Sequence, residues 1–188
     1  IHLETYGKKS AKKAERKNLN HNSDVRQTTI SGVLAEARRD VGFTSHIDEP
    51  HAPALLWGSP LQEVEQMAED YYNNTYTVDK NGKQKRLRSD ASIILAGVIS
   101  IDRKDEEIWS DYKKDAFKFL REKYGDKLKS VIEHVDEENP HIHFYALEDP
   151  GRKLNDLHDG KRAVANLTKE EKKNQQFHYT KAMTEFQD

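Results

Sequence analysis

The residues with most to offer chemically lie between positions 134 and 143: His134-Val-Asp136-Glu137-Glu138-Asn139-Pro140-His141-Ile-His143. His141 and His143 are two apart, so a β-strand through them turns both imidazoles to one face. His134 precedes them by seven positions, across a Glu-Asn-Pro stretch suited to reversing the chain. Two adjacent strands would then present three neutral imidazoles to one divalent ion. The blander explanation is a His-rich surface hairpin, but nine histidines in 188 residues seldom fall into this spacing by chance. An imidazole set without thiolate accepts Mn, Zn, Ni or Co, and the adjoining carboxylates suit hard cations such as Mn and Mg. With three protein ligands, positions stay open for water or substrate. Such an ion polarises a phosphoryl oxygen during an in-line displacement.

The elements that must hold these residues follow from hydrophobic periodicity. Ile1–Tyr6 alternates and reads as a strand, and Ser23 or Asp24 is a plausible cap for a helix reaching Arg39. Residues 42–60, with three prolines and two glycines, read as an extended connection; a second helix runs from about Pro60 to Tyr72. Asp79-Lys-Asn81-Gly82 marks a turn in the polar stretch 73–89, a hairpin or flexible loop. Ser92–Ser100 is a buried strand by its unbroken apolarity, and Glu107–Tyr124 an amphipathic helix closed by Gly125. Leu128–Val135 and His141–Leu147 are strands joined by the acidic turn; a Gly/Asp-rich loop and a charged helix at about Lys169–Phe186 follow. With the histidines on one face, Ile142, Phe144 and Ala146 point to the other, available as core. The sum is an α+β fold, an antiparallel sheet with helices packed on it as a two-layer sandwich.

Composition narrows the classes. There is no cysteine, which excludes disulfides and thiolate metal sites. No apolar run approaches a membrane span and no signal peptide is visible, which points to a cytosolic protein. The chain opens on Ile1 and stops inside an amphipathic pattern, so it reads as a fragment of a longer protein. Net charge is −2, yet Lys8–Lys17 carries six basic residues and Lys80–Arg88 five. Two such stretches can still make a positive groove, because field depends on placement.

Taken together, His-x-Asp-Glu-x-x-Pro-His-x-His resembles the signature of HUH single-strand DNA endonucleases, and more narrowly that of the Mob/Pre (MobV-type) plasmid mobilisation family. An early motif of that family, containing His-Asn and a basic residue, is matched by His21, Asn22 and approximately Arg26. The resemblance implies a bacterial, cytoplasmic relaxase that nicks one strand at a transfer origin and stays joined to its 5′ end. It implies a relaxase domain over residues 1–168, with 169–188 opening a further region. It also implies His134, His141 and His143 as ligands of one divalent metal, Mn or Mg first and Zn, Ni or Co after them. His21 becomes the nucleophile, and Glu137, with Asp136 second, the carboxylate that takes its proton; Glu137 could instead be a fourth ligand. The partners would be single-stranded or hairpin origin DNA and accessory relaxosome proteins. Lys8, Lys9, Lys12, Lys13, Arg26, Lys83, Lys85, Arg86 and Arg88 are the candidate DNA contacts.

Tyr6 and the Tyr71-Tyr72 pair compete with His21 as nucleophiles, although Leu61, Val64, Met67 and Ala68 give the second helix an inward face that would absorb one of the pair. His46-Ile-Asp48-Glu49-Pro50-His51 imitates the metal motif without strand character and reads as an ordered connection. His2, His158 and His178 stand isolated. Gly151-Arg152-Lys153 and Gly160-Lys161-Arg162 offer phosphate contacts, and Trp57 and Trp109 read as core. The competing functions are an HUH replication initiator or transposase and, further off, a metallohydrolase of a small phosphorylated or amide substrate. The hydrolase would need neither covalent intermediate nor basic segments.

Overall fold

The computed structural model describes residues 1–10, 28–45 and 47–187. Its centre is a five-stranded sheet, ordered β1-β5-β7-β6-β2 and antiparallel throughout: β1 (His2–Tyr6), β2 (Ala54–Gly58), β5 (Ile94–Ser100), β6 (Leu128–His134) and β7 (His141–Ala146). A separate two-stranded ribbon, β3 (Tyr76–Val78) with β4 (Gln84–Arg86), is exposed along its whole length. This is the hairpin expected at 73–89, turned around Gly82 with φ +78°.

The α+β architecture with helices packed on an antiparallel sheet is as the sequence implies, but helices cover both faces rather than one. Helices α1 (Ile30–Arg38) and α2 (Leu61–Asn74) pack on the histidine face, against Ile94, Ala96, Ile132 and Tyr145. Helices α3 (Trp109–Tyr124) and α5 (Gln175–Gln187) pack on the other, where Phe186 joins Leu95, Val131, Ile142 and Phe144. The physical reason is the apolar row that continues past the histidines on their own face, which would otherwise lie open to water. It also explains β5, buried from Ile94 to Ala96 without alternation. Gly97 in β5 is a packing requirement: a Cβ there would stand 2.2 Å from the Phe144 ring.

One helix start and two additional elements differ from expectation, and α5 begins at Gln175 rather than about Lys169. Helix α1 starts at Ile30, where the Thr29 hydroxyl accepts a hydrogen bond from the Gly32 N–H at 3.2 Å and Thr29 itself is extended. The helix is thus capped at Thr29, and Ser23 and Asp24, the caps expected from the sequence, lie outside the described residues. The connection 42–60 contains β2, an edge strand beside β6 with a bulge between Leu55 and Trp57; its prolines flank the strand and leave its pairing free. The loop after β7 contains a short helix, α4 (Asp159–Ala165). Among the described residues no helix is long and apolar enough to cross a membrane.

Candidate metal centre

Register places His134 directly opposite His141 on neighbouring strands, with His143 opposite Ile132. The three rings stand 4.8–5.1 Å apart by centroid, and their metal-capable nitrogens lie within 4.8 Å of one another. Local sequence enforces this. Asn139 and Pro140 end the turn so that β7 begins on a histidine, and the two-residue period then brings His143 to the same face.

The proton bookkeeping of the rings shows what the cluster is shaped for. His134 donates its Nε2 proton to the Ala37 carbonyl at 2.9 Å, and His141 donates its Nδ1 proton to the Asn139 carbonyl at 2.9 Å. A carbonyl only accepts, so each neutral ring uses its one N–H there. The remaining nitrogens, His134 Nδ1 and His141 Nε2, face each other at 3.3 Å with a lone pair on each. Two nitrogens bound to one divalent ion at about 2.1 Å stand about 3.0–3.4 Å apart, so the trio fits a metal. The carbonyl partners are the outer support such imidazole ligands normally have.

Electrostatics keep His134 and His143 ready for a metal. Burial, the Arg39 guanidinium and neighbouring His141 lower the His134 pKa to about 4. His143 is driven well below the ordinary histidine value, first by desolvation and then by the two other imidazoles. The Ala37 carbonyl belongs to the last turn of α1, a helix end that carries partial negative charge and favours a cation nearby.

The turn between β6 and β7 is held from two sides. Arg103 donates to the Glu138 carbonyl at 2.6 Å and the Glu137 carbonyl at 3.0 Å, and its own N–H goes to Asn139 Oδ1 at 2.9 Å. On the other side Arg39 meets Asp136 in a two-pronged pair of 3.0 and 2.7 Å and reaches Glu137 Oε1 at 2.6 Å. Glu137 Oε1 in turn stands 3.7 Å from His141 Nε2. Burial raises the Asp136 pKa, but Arg39 and the His51 N–H outweigh it and bring it to about 2. In the sequence Arg39 reads only as a polar residue, one of two adjacent arginines at a helix end. Arg38 goes elsewhere, to Asp40 and Glu65, and no local pattern tells the two apart.

His141 and His143 line a cleft together with β1 residues His2, Glu4 and Tyr6 and with Glu36, Arg39 and Glu137, and His134 is buried behind them. His2, isolated in sequence, sits in the same cross-strand row as His143 with Val98 between them. Tyr6 is therefore at the cleft, whereas Tyr71 is buried, donating to the Arg152 carbonyl at 2.7 Å and accepting from the Leu154 N–H at 3.2 Å. Tyr72 donates to the Leu87 carbonyl at 3.3 Å. His51 touches the motif only through its backbone N–H, 3.0 Å from Asp136. Lys161 donates to the Thr5 hydroxyl and Arg162 to Asp159, so the 160–162 stretch is engaged internally. Trp109 is buried with its indole N–H on Glu133 at 2.6 Å, and Trp57 packs at the core edge against Phe117. Lys8 pairs with Glu69, Lys85 with Asp79 and Arg88 with Asp90. Lys9, Lys83 and Arg86 are exposed. His21, Lys12, Lys13, Arg26 and His46 lie outside the described residues.

A family model described as plasmid recombination enzyme (Mob_Pre) matches residues 61–188, about two-thirds of the chain and including the histidine trio. The chain belongs to the Mob/Pre plasmid recombination enzyme family. Solved structures similar to this Mob/Pre domain include the MobM relaxase domain bound to 22-nucleotide oriT DNA of plasmid pMV158 with a 3′-thiophosphate, Mn-bound. That match has 19% identity, a TM-score of 0.51, and covers 87% of this chain and 83% of that one. A second Mn-bound MobM–oriT structure matches at 20% identity and a TM-score of 0.50, covering 83% and 80%. At this identity the likeness establishes the shared fold. No curated protein matches the chain.

Proposed function

We propose that this domain is a plasmid mobilisation relaxase, a metal-dependent endonuclease and strand transferase acting on one strand at a transfer origin. The observation that carries the reading is the pair of imidazole lone pairs facing each other at 3.3 Å beside an open cleft, in a chain of the plasmid recombination family. The similar MobM structures hold Mn and origin DNA, which supports the same ligand classes here.

His134, His141 and His143 would hold one divalent ion, Mn or Mg, bound through His134 Nδ1 and His141 Nε2 for two of them. When bound, the ion supplies polarisation of a non-bridging oxygen of the scissile phosphate. His21 attacks the phosphorus through an imidazole nitrogen; the N–P bond forms, the bond to the 3′ oxygen breaks, and that oxygen leaves to take a proton as the 3′ hydroxyl. Glu137, at the cleft beside His141, receives the proton released from the His21 imidazole. Asp136 is committed to Arg39 and acts by holding the turn. Lys83 and Arg86 on the exposed β3–β4 ribbon, with Lys9, supply backbone contacts to single-stranded or hairpin DNA. Accessory relaxosome proteins would assemble around the same origin in the bacterial cytoplasm.

The test is incubation of the protein with end-labelled single-stranded origin DNA and Mn, followed by denaturing electrophoresis. A covalent adduct through the 5′ phosphate at the nick, with a free 3′ hydroxyl on the other fragment, is expected. Neither adduct nor nicking across origins of Mob/Pre plasmids would overturn the reading.

A further inference from the structure

Two overlapping metal-capable clusters share His134: the imidazole trio, and His134 with Asp136 and Glu137. In an oxygen-preferring environment the second set would draw a hard cation as readily as the first. The structure already has a cation there. The Arg39 side chain is 4% exposed and Asp136 2%, and one guanidinium spans Asp136 and Glu137 together. Arg39 reaches this position from the C-cap of α1 with φ +65°, the only positive-φ residue other than glycine among those described. A left-handed backbone at a long side chain carries strain, and here it coincides with a buried, three-bonded ion pair that fixes it.

We propose that Arg39 is a positioning residue that sets the metal's ligand composition: its guanidinium occupies the place a cation would take between Asp136 and Glu137, so the ion is confined to the imidazole trio. The inference rests on that trio being the metal centre. Its physics has two parts of the same sign. The guanidinium engages both Asp136 oxygens and Glu137 Oε1, the atoms that would otherwise ligate an ion, and its own positive charge opposes any cation on that side. Removing it leaves the buried Asp136 carboxylate without its counter-charge and with the His51 N–H as its remaining partner, a condition that a divalent ion relieves. The last turn of α1 thereby governs the centre twice, since the Ala37 carbonyl selects the His134 nitrogen that faces the ion.

The experiment loads the chelator-treated full chain with Mn or Co and needs no DNA. Arg39→Met should bind Mn about tenfold more tightly than wild type by calorimetry, and its Co complex should show an altered visible spectrum from oxygen ligation. Asp136→Asn added to Arg39→Met should abolish both changes. Asp136→Asn alone keeps Arg39 and should leave the Co band positions of wild type unchanged, which tests the inference even where Arg39→Met fails to fold. Unchanged Mn affinity and Co spectrum in folded Arg39→Met, or shifted bands in Asp136→Asn alone, would overturn it. His141→Ala separates the two claims. If that variant still binds metal like wild type, the trio and this inference both fall; if it loses metal while Arg39→Met behaves as wild type, only the inference does.

Discussion

Acidifying the metal-free protein should cost stability in a window set by His134. Its pKa falls from 6.5 to about 4 on folding because burial and Arg39 disfavour the imidazolium. Between those values the unfolded chain binds a proton that the folded chain refuses, so stability rises with pH there. The contribution is therefore complete above about pH 6.5 and drains away as pH falls to about 4. The full loss is about 3 kcal/mol, at a limiting slope of about 1.4 kcal/mol per pH unit. His143 is shifted in the same direction and steepens the curve. Asp136, lowered from 3.8 to about 2, contributes stability that is lost only below this window. The assay is urea unfolding in chelator, followed by the fluorescence of Trp57 and Trp109, at intervals from pH 7.5 to 4.5. His134→Gln is the informative variant, because its amide N–H can still reach the Ala37 carbonyl but does not titrate. Its stability should fall with pH by about one proton's worth less than wild type. An identical slope in both proteins would refute the argument that a buried neutral His134 carries the dependence.

Four further outcomes follow from the same geometry. His141→Ala should lose at least tenfold in Mn affinity by calorimetry and lose nicking, while keeping its circular dichroism spectrum. Affinity for single-stranded origin DNA should fall with salt at a log–log slope of about −3.5 if about five phosphates are met; neutralising Lys83 and Arg86 together should reduce that slope by about 1.4, read by fluorescence anisotropy. The covalent adduct should be acid-labile, as a phosphoramidate is, and His21→Ala should abolish it while DNA binding persists; an acid-stable adduct mapped to Tyr6 would reassign the nucleophile. Gly97→Ala should destabilise the fold by about 1–3 kcal/mol in urea titration, since the new methyl meets the Phe144 ring.

What the sequence determined on its own was whatever depends on short-range periodicity. Spacing of two along a strand put His141 and His143 on one face, a seven-residue interval with Pro140 brought His134 across, and unbroken apolarity marked β5 as buried. The hairpin at Asn81-Gly82, the capping Gly125 and the antiparallel α+β class were legible for the same reason. Strand β2 was not, because an exposed edge strand bounded by prolines is defined by its partner β6 and not by its own pattern. Neither was the second helical layer, since which sheet face needs cover depends on residues contributed by several strands at once. The finest features of the centre were decided by tertiary structure alone. Which nitrogen of His134 is left free to accept a metal is fixed by a carbonyl 97 positions away in sequence. Which of two adjacent arginines holds the acidic pair is fixed by a single left-handed residue at the end of α1, where one sends its side chain to Glu65 and the other to Asp136. A hydrogen bond has direction and reach but leaves no period in the chain, so these choices exist only once the helix has docked on the sheet.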